Sequence, residues 1–149
     1  MHAFHHLHQG LIIVNLAYTK PLPVVDSLTR QYWENARAHR LSVQRCRDCG
    51  DRHFPPCDVC PKCLSDDQDW ELVSGRGTLL SWVRFHRAYW DGYRGELPYD
   101  VCLVQLEEGP LVLSNFSGNA PDHARMGMPL RAVFDDVTEQ VSLVRFVPE

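Results

Sequence analysis

Two Cys-x2-Cys pairs constrain this chain more than anything else in it. Cys46/Cys49 and Cys60/Cys63 stand ten residues apart in the run CRDCGDRHFPPCDVCPKC, which holds five of the six cysteines. Each pair can wrap a tight turn around one ion and offer two thiolates, so two facing turns close a tetrahedral sulfur cage. Gly50 follows the first pair, where such a knuckle needs a residue that tolerates positive φ. Pro55, Pro56 and Pro61 stiffen the connection between the halves. The competing readings are a buried thiol cluster or a set of disulfides. Disulfides need an oxidising compartment, and nothing in the sequence reads as a secretory signal. Zinc suits a four-sulfur site better than iron, because it needs no redox role. Four thiolates leave zinc no open position, so the site is structural in character. Cys57 forms an overlapping pair with Cys60. Since Cys-Pro-Lys-Cys mirrors the first knuckle, Cys57 is read as a spare thiol and Cys102 as a small buried hydrophobe.

The length of 149 residues allows one medium domain or two small ones that share a core. A net charge of −4 argues against a protein whose main task is to grip a phosphate backbone. No apolar run approaches the ~20 residues that span a bilayer. The apolar segment at residues 11–17 is short and preceded by histidines, which argues against a signal peptide. A reducing, cytoplasmic setting is expected.

Residues 1–19 carry His2, His5, His6 and His8 and look foreign to the rest; they are read as a translated leader or remnant. Asp26 is placed to cap a helix with the body SLTRQYWENARAHR, whose Leu28, Tyr32, Trp33 and Ala36 make one apolar face. That face either packs on its own domain or docks a partner through Tyr32 and Trp33. Residues 41–45 form a short extended run. Arg37, Arg40, Arg45, Arg47 and Arg52 cluster there as a solvated basic face or a phosphate receiver. Asp66, Asp67 and Asp69 read as a polar loop.

From Trp70 onward the texture is β. Strands are expected at residues 78–88, 99–106, 111–116, 130–134 and 141–146, bounded by Gly, Pro and Asp turns. Five short strands with a longer connection after the third fit a closed Greek-key barrel of the OB type. The first strand has large apolar residues at both parities, so it is expected to curl across the barrel and be covered on both sides. Gly75 and Gly77 suit either a close approach of ribbon and barrel or an ordinary turn.

No catalytic constellation assembles: the remaining histidines are scattered, and no nucleophile elbow or phosphate loop is present. His86, flanked by Arg84 and Arg87, is either a ligand contact or a wall histidine. The loop at residues 91–100, with Tyr93 and Arg94, is either a contact surface or simply mobile.

The segments LSVQRCRDCGDRHFPPCDVCPKC, SGRGTLLSWVRFHR and GMPLRAVFDDV, in that order, resemble a family long catalogued as a domain of unknown function. Its members combine an N-terminal helix, a rubredoxin-like zinc ribbon and a C-terminal OB fold, and are associated with acyl-CoA chemistry. The resemblance covers residues 20–149. It implies a mainly β chain with the helix and ribbon at residues 20–73 and a five-stranded barrel at 74–149. Cys46, Cys49, Cys60 and Cys63 match the family's metal ligands, with Zn2+ as a structural ion. Cys57 stands where the family usually has arginine, and no catalytic residue transfers.

The implied role is an accessory subunit or scaffold of a thiolase-like (acyltransferase, aldolase or synthase) or hydratase-like complex acting on CoA thioesters, without an activity of its own. Arg45, Arg47, Arg52, His86 and Arg87 are then candidate contacts for an acyl-CoA. Tyr32, Trp33, Tyr93 and Arg94 are candidate contacts for the partner enzyme. The alternative is a nucleic-acid-binding zinc-ribbon and OB-fold protein with Trp82, Phe85 and Tyr89 stacking bases. A third reading, an iron electron carrier, is opposed by Leu64, which stands where rubredoxins usually have glycine.

Overall fold

A computed structural model describes residues 18–149; the reading of residues 1–19 as a leader lies almost wholly outside them. Asp26 and Thr29 form a reciprocal box: the Thr29 N–H donates to the Asp26 carboxylate at 2.9 Å, and the Asp26 N–H donates to Thr29 Oγ1 at 3.2 Å. Residues 27–29 form a turn there, and α1 (Arg30–Arg37) continues it. The helix is shorter than the run of helix formers suggests. It stops at His39, whose φ of 55° lets Arg40 N–H reach back to the Asn35 carbonyl at 2.9 Å.

Next comes a three-stranded antiparallel sheet built from β1 (Ser42–Cys46), β2 (Arg52–His53) and β3 (Gln68–Leu72), with β1 in the middle. The run of aspartates expected as a loop thus extends into a strand. The reason is charge pairing across the sheet. The register sets Arg45 opposite Asp69 and Arg52 opposite Arg45, so that Glu71 on β3 can accept both Arg52 nitrogens at 2.9 Å. Arg47 holds Asp69 at 2.9 Å.

The remaining strands are β4 (Arg76–Phe85), β5 (Tyr99–Leu106), β6 (Leu111–Phe116), β7 (Pro129–Asp136) and β8 (Ser142–Pro148), with a 3-10 turn at Asp91–Glu96. They close into a barrel in the order β4-β5-β6-β8-β7, all antiparallel except β6 beside β8. That order and the single parallel pair are those of an OB barrel.

β4 does not have both faces covered. A bulge between Leu79 and Ser81 shifts its register, so Leu79 points inward before the bulge and Trp82 packs on the core after it, while Val83 is exposed. The apolar residues at both parities are a bulge signal. Gly75 and Gly77 approach barrel strands rather than the ribbon. A Cβ at Gly77 would meet the Gln105 carbonyl oxygen at 2.6 Å, and one at Gly75 would meet Ala132 at 3.2 Å.

Helix, ribbon and barrel share one core. Tyr32, Leu41 and Val43 join Leu79, Val104, Leu130, Phe116 and Phe146 in a single buried cluster, and Val73 N–H donates to the Leu41 carbonyl at 2.9 Å. Among the described residues no helix is long and apolar enough to cross a membrane.

Candidate metal centre and flanking surfaces

The two knuckles are near copies of each other. In the first, Gly50 N–H donates to the Cys46 carbonyl at 3.0 Å; in the second, Leu64 N–H donates to the Cys60 carbonyl at 2.9 Å. Gly50 and Leu64 occupy the same left-handed region, with φ of 74° and 65°. The turns bring Cys46 Sγ to 3.5 Å from Cys63 Sγ, and Cys49 Sγ to 3.6 Å from Cys60 Sγ. All four sulfurs lie within 4.8 Å of one another. A tetrahedron with Zn–S bonds of about 2.3 Å has edges of about 3.8 Å, so the donor set fits zinc closely. The Cys49 amide N–H, aimed at Cys46, lowers that thiol to about 7, whereas Cys63, despite the Ser65 amide aimed at it, is pushed up to about 12 by the Cys49 thiol and by burial. Cys46 and Cys60 are buried, whereas Cys49 and Cys63 face outward.

Cys57 stands outside this group. Its thiol donates to the Val59 carbonyl at 3.1 Å, and burial raises its pKa. Its backbone is clamped from both sides: Gln44 Oε1 accepts its N–H at 2.7 Å and Gln68 Nε2 donates to its carbonyl at 2.8 Å. These two glutamines hold the loop between the knuckles. Gln44 lies in the expected extended run at residues 41–45, whereas Gln68 sits in the stretch expected as a polar loop and carried no signal. Cys102 is fully buried, and burial pushes its thiol up to about 12.

The ribbon arginines are already engaged. Arg47 faces Asp67 and Asp69, Arg52 faces Glu71, and Arg45 lies 3.8 Å from Glu71. His86 and Arg87 are exposed at the end of β4, and the Arg87 guanidinium lies 5.6 Å from the Tyr89 ring centre. Arg87 forms no ion pair with the described residues. Tyr32 is only 7% exposed and packs on Phe54 and Trp70, so burial in the chain's own core takes it away from any partner. Trp33 is half-buried edge-on to Tyr32 and lines a cleft with Arg30 and Glu34. Tyr93 and Arg94 sit on the 3-10 turn. Tyr93 lies between Tyr99 and the Lys20 ammonium, and Arg94 pairs with Asp91 at 2.7 Å. Beside them Tyr89 and Trp90 are 60% and 57% exposed. Trp82, one of three aromatics suggested for base stacking, is turned toward the core.

Sequence reasoning missed Asp100. Its carboxylate is buried and accepts both Arg84 nitrogens at 2.9 Å and the Ala120 N–H at 2.8 Å. The Arg84 guanidinium and then the Ala120 amide hold its pKa below the ordinary value. It ties β4 and β5 to the long connection before β7. A lone charge opening an apolar strand was the only sign of it.

The model of the ChsH2 rubredoxin-like zinc ribbon domain matches residues 33–69, and that of the ChsH2 C-terminal OB-fold domain matches residues 70–135. A DUF35 domain-containing scaffold protein of Methanocaldococcus jannaschii is 31% identical over 76% of this chain and 82% of its own length. A probable enoyl-CoA hydratase alpha subunit of Thermomonospora curvata is 33% identical over 87% of this chain, which spans only 40% of that relative. Among solved structures, a chain of the Ltp2-ChsH2(DUF35) aldolase superposes with a TM-score of 0.74 at 31% identity, covering 85% of this chain and 98% of that one. With the ribbon, the barrel and their order all matched, the chain belongs to the DUF35 family of zinc-ribbon and OB-fold proteins.

Proposed function

We propose that this chain is an accessory subunit of a thiolase-like or hydratase-like enzyme that acts on CoA thioesters in the cytoplasm. The observation that carries the reading is the exposed aromatic turn of the barrel. Tyr89 and Trp90 project from the barrel next to Tyr93 and Arg94, the residue types that anchor interfaces. Zinc held by Cys46, Cys49, Cys60 and Cys63 would cross-link the ribbon. Four thiolates leave it no position for substrate, so these residues hold a shape and do not present a reactive ion. Support also comes from relatives described as a hydratase alpha subunit and as part of an aldolase.

On this reading the acyl-CoA sits in the partner's active site. Of the candidate acyl-CoA contacts, Arg87 and the neighbouring His86 form no ion pair among the described residues and are exposed. Arg45, Arg47 and Arg52 would first have to give up Asp69 and Glu71. The test is co-purification with a thiolase-fold or hydratase-fold enzyme from the native host, followed by Trp90→Ala. A loss of about 2 kcal/mol in binding, roughly thirtyfold, is expected. Acyl-CoA turnover by the isolated chain would overturn the reading. So would tight, salt-dependent binding of single-stranded nucleic acid at physiological salt.

A further inference from the structure

His53 lies inside the cysteine run and is 7% exposed, yet neither of its ring nitrogens has a hydrogen-bond partner among the described residues. Leaving such atoms buried and unpaired costs about 1–3 kcal/mol, so a site that keeps them has something to pair them with. Two groups are within reach. Asp51 Oδ2 lies 3.5 Å from Nδ1, and a ring nitrogen, an Asp51 oxygen and Cys60 Sγ all lie within 4.8 Å of one another. β2, only two residues long, pairs His53 with Gln44 and so fixes the imidazole between the knuckles.

These three groups do not make a second metal site, because Cys60 already belongs to the four-sulfur cage. They have the layout of an outer layer around one: carboxylate, imidazole, ligand atom. Such a layer answers a charge problem. Four thiolates around one divalent ion carry two negative charges in excess, and Cys60 is one of the two sulfurs water cannot reach. The other, Cys46, receives backbone N–H donors from its own knuckle.

We infer that His53 donates one ring N–H hydrogen bond to the Cys60 thiolate of the metal-loaded ribbon and its other ring N–H to the Asp51 carboxylate, which orients the ring. His53 is thus a positioning residue that tunes how firmly, and with what sulfur character, the ion is held. A ring nitrogen already lies within 4.8 Å of Cys60 Sγ. The inference rests on the zinc-ribbon reading.

Two substitutions separate donor chemistry from packing. His53→Phe keeps a ring and removes the donor; His53→Gln keeps an N–H. Cobalt(II)-loaded protein reports the hydrogen bond directly, because a donor on a thiolate moves the sulfur-to-metal charge-transfer band to higher energy. Expected are a lower-energy band and about tenfold faster zinc release to a chelator in His53→Phe. His53→Gln should restore both toward the parent, and Asp51→Asn should fall between. An unchanged band and release rate in His53→Phe would overturn the inference while leaving the zinc ribbon intact. Parent protein holding no metal by elemental analysis would instead overturn the ribbon reading. Should His53→Phe fail to fold, cadmium-113-loaded parent protein with nitrogen-15 histidine decides. Coupling between the His53 ring N–H and the cadmium supports the bond, and its absence refutes it.

Discussion

The ribbon and the barrel solve the same problem by different means. The barrel buries Leu79, Val104, Leu106, Leu130, Phe116 and Phe146 almost completely and closes its own sheet edges. The ribbon has β strands of five, two and five residues and buries mainly Val43, Cys46 and Cys60 as its apolar content. So small a sheet cannot hold itself together by burial alone. Its remaining order comes from sulfur geometry and from arginine–carboxylate pairs across β1, β2 and β3. The barrel is thus written in hydrophobic alternation, whereas the ribbon is written in ligands and charge.

The largest test of that contrast is to remove one sulfur. Structural zinc contributes folding free energy on the order of 10 kcal/mol, far more than the ribbon's own burial supplies. Cys46→Ser should lose the metal and melt the ribbon, leaving a separate, lower-temperature barrel transition by calorimetry. Cys57→Ser should keep its metal by elemental analysis. Equal zinc loss in both variants would mean that the cage has been assigned to the wrong sulfurs.

That difference also explains which parts could be read in advance. β5 and β6 fall at the expected residues because alternation runs between clear turn residues. β3 was hidden, since its Asp69 and Glu71 meet arginines distant in sequence and only Trp70 packs on the core. The bulge in β4 was visible only as a broken parity. Among the site residues, the four cysteines announce themselves by spacing. His53 and Asp100 do not, because each matters through neighbours that only the folded chain supplies.

A smaller effect is expected where the barrel borrows the ribbon's device. Asp100 is its buried charge, paired with Arg84 on the barrel surface and accepting the Ala120 N–H; removing it frees Arg84 to water but leaves that buried N–H unpaired, at about 1–3 kcal/mol. Asp100→Ala should therefore destabilise the barrel in denaturant titration without releasing zinc. Because Arg84 lowers the folded pKa of Asp100 below 3.8, its contribution is complete at neutral pH. It persists above the unfolded value and disappears as pH falls through the lower folded one. A parent whose acid stability profile matches that of Asp100→Ala would contradict this.

The smallest change tests whether the two knuckles are energetically equal. Leu64 is 74% exposed in a backbone region that costs a side-chain-bearing residue about 1 kcal/mol. Leu64→Gly should therefore stabilise the ribbon by about 1 kcal/mol. Gly50→Ala should cost a similar amount, through the backbone alone, since a Cβ there would meet nothing within 4 Å. Changes of the same sign would show that Leu64 is held by something other than its own turn.

The junction between the two matched family models falls at residues 69 and 70, inside β3. Its first two residues pair with Cys46 and Arg45, and Trp70 beyond them packs on Tyr32. A genetic crossover at that point would hand each descendant a fragment of one strand, and would part Trp70 from the helix that shelters it. A cut at that point divides one strand, so ribbon and barrel do not separate cleanly there. New modules gained by such a lineage are expected to be spliced outside the pair and never between its halves.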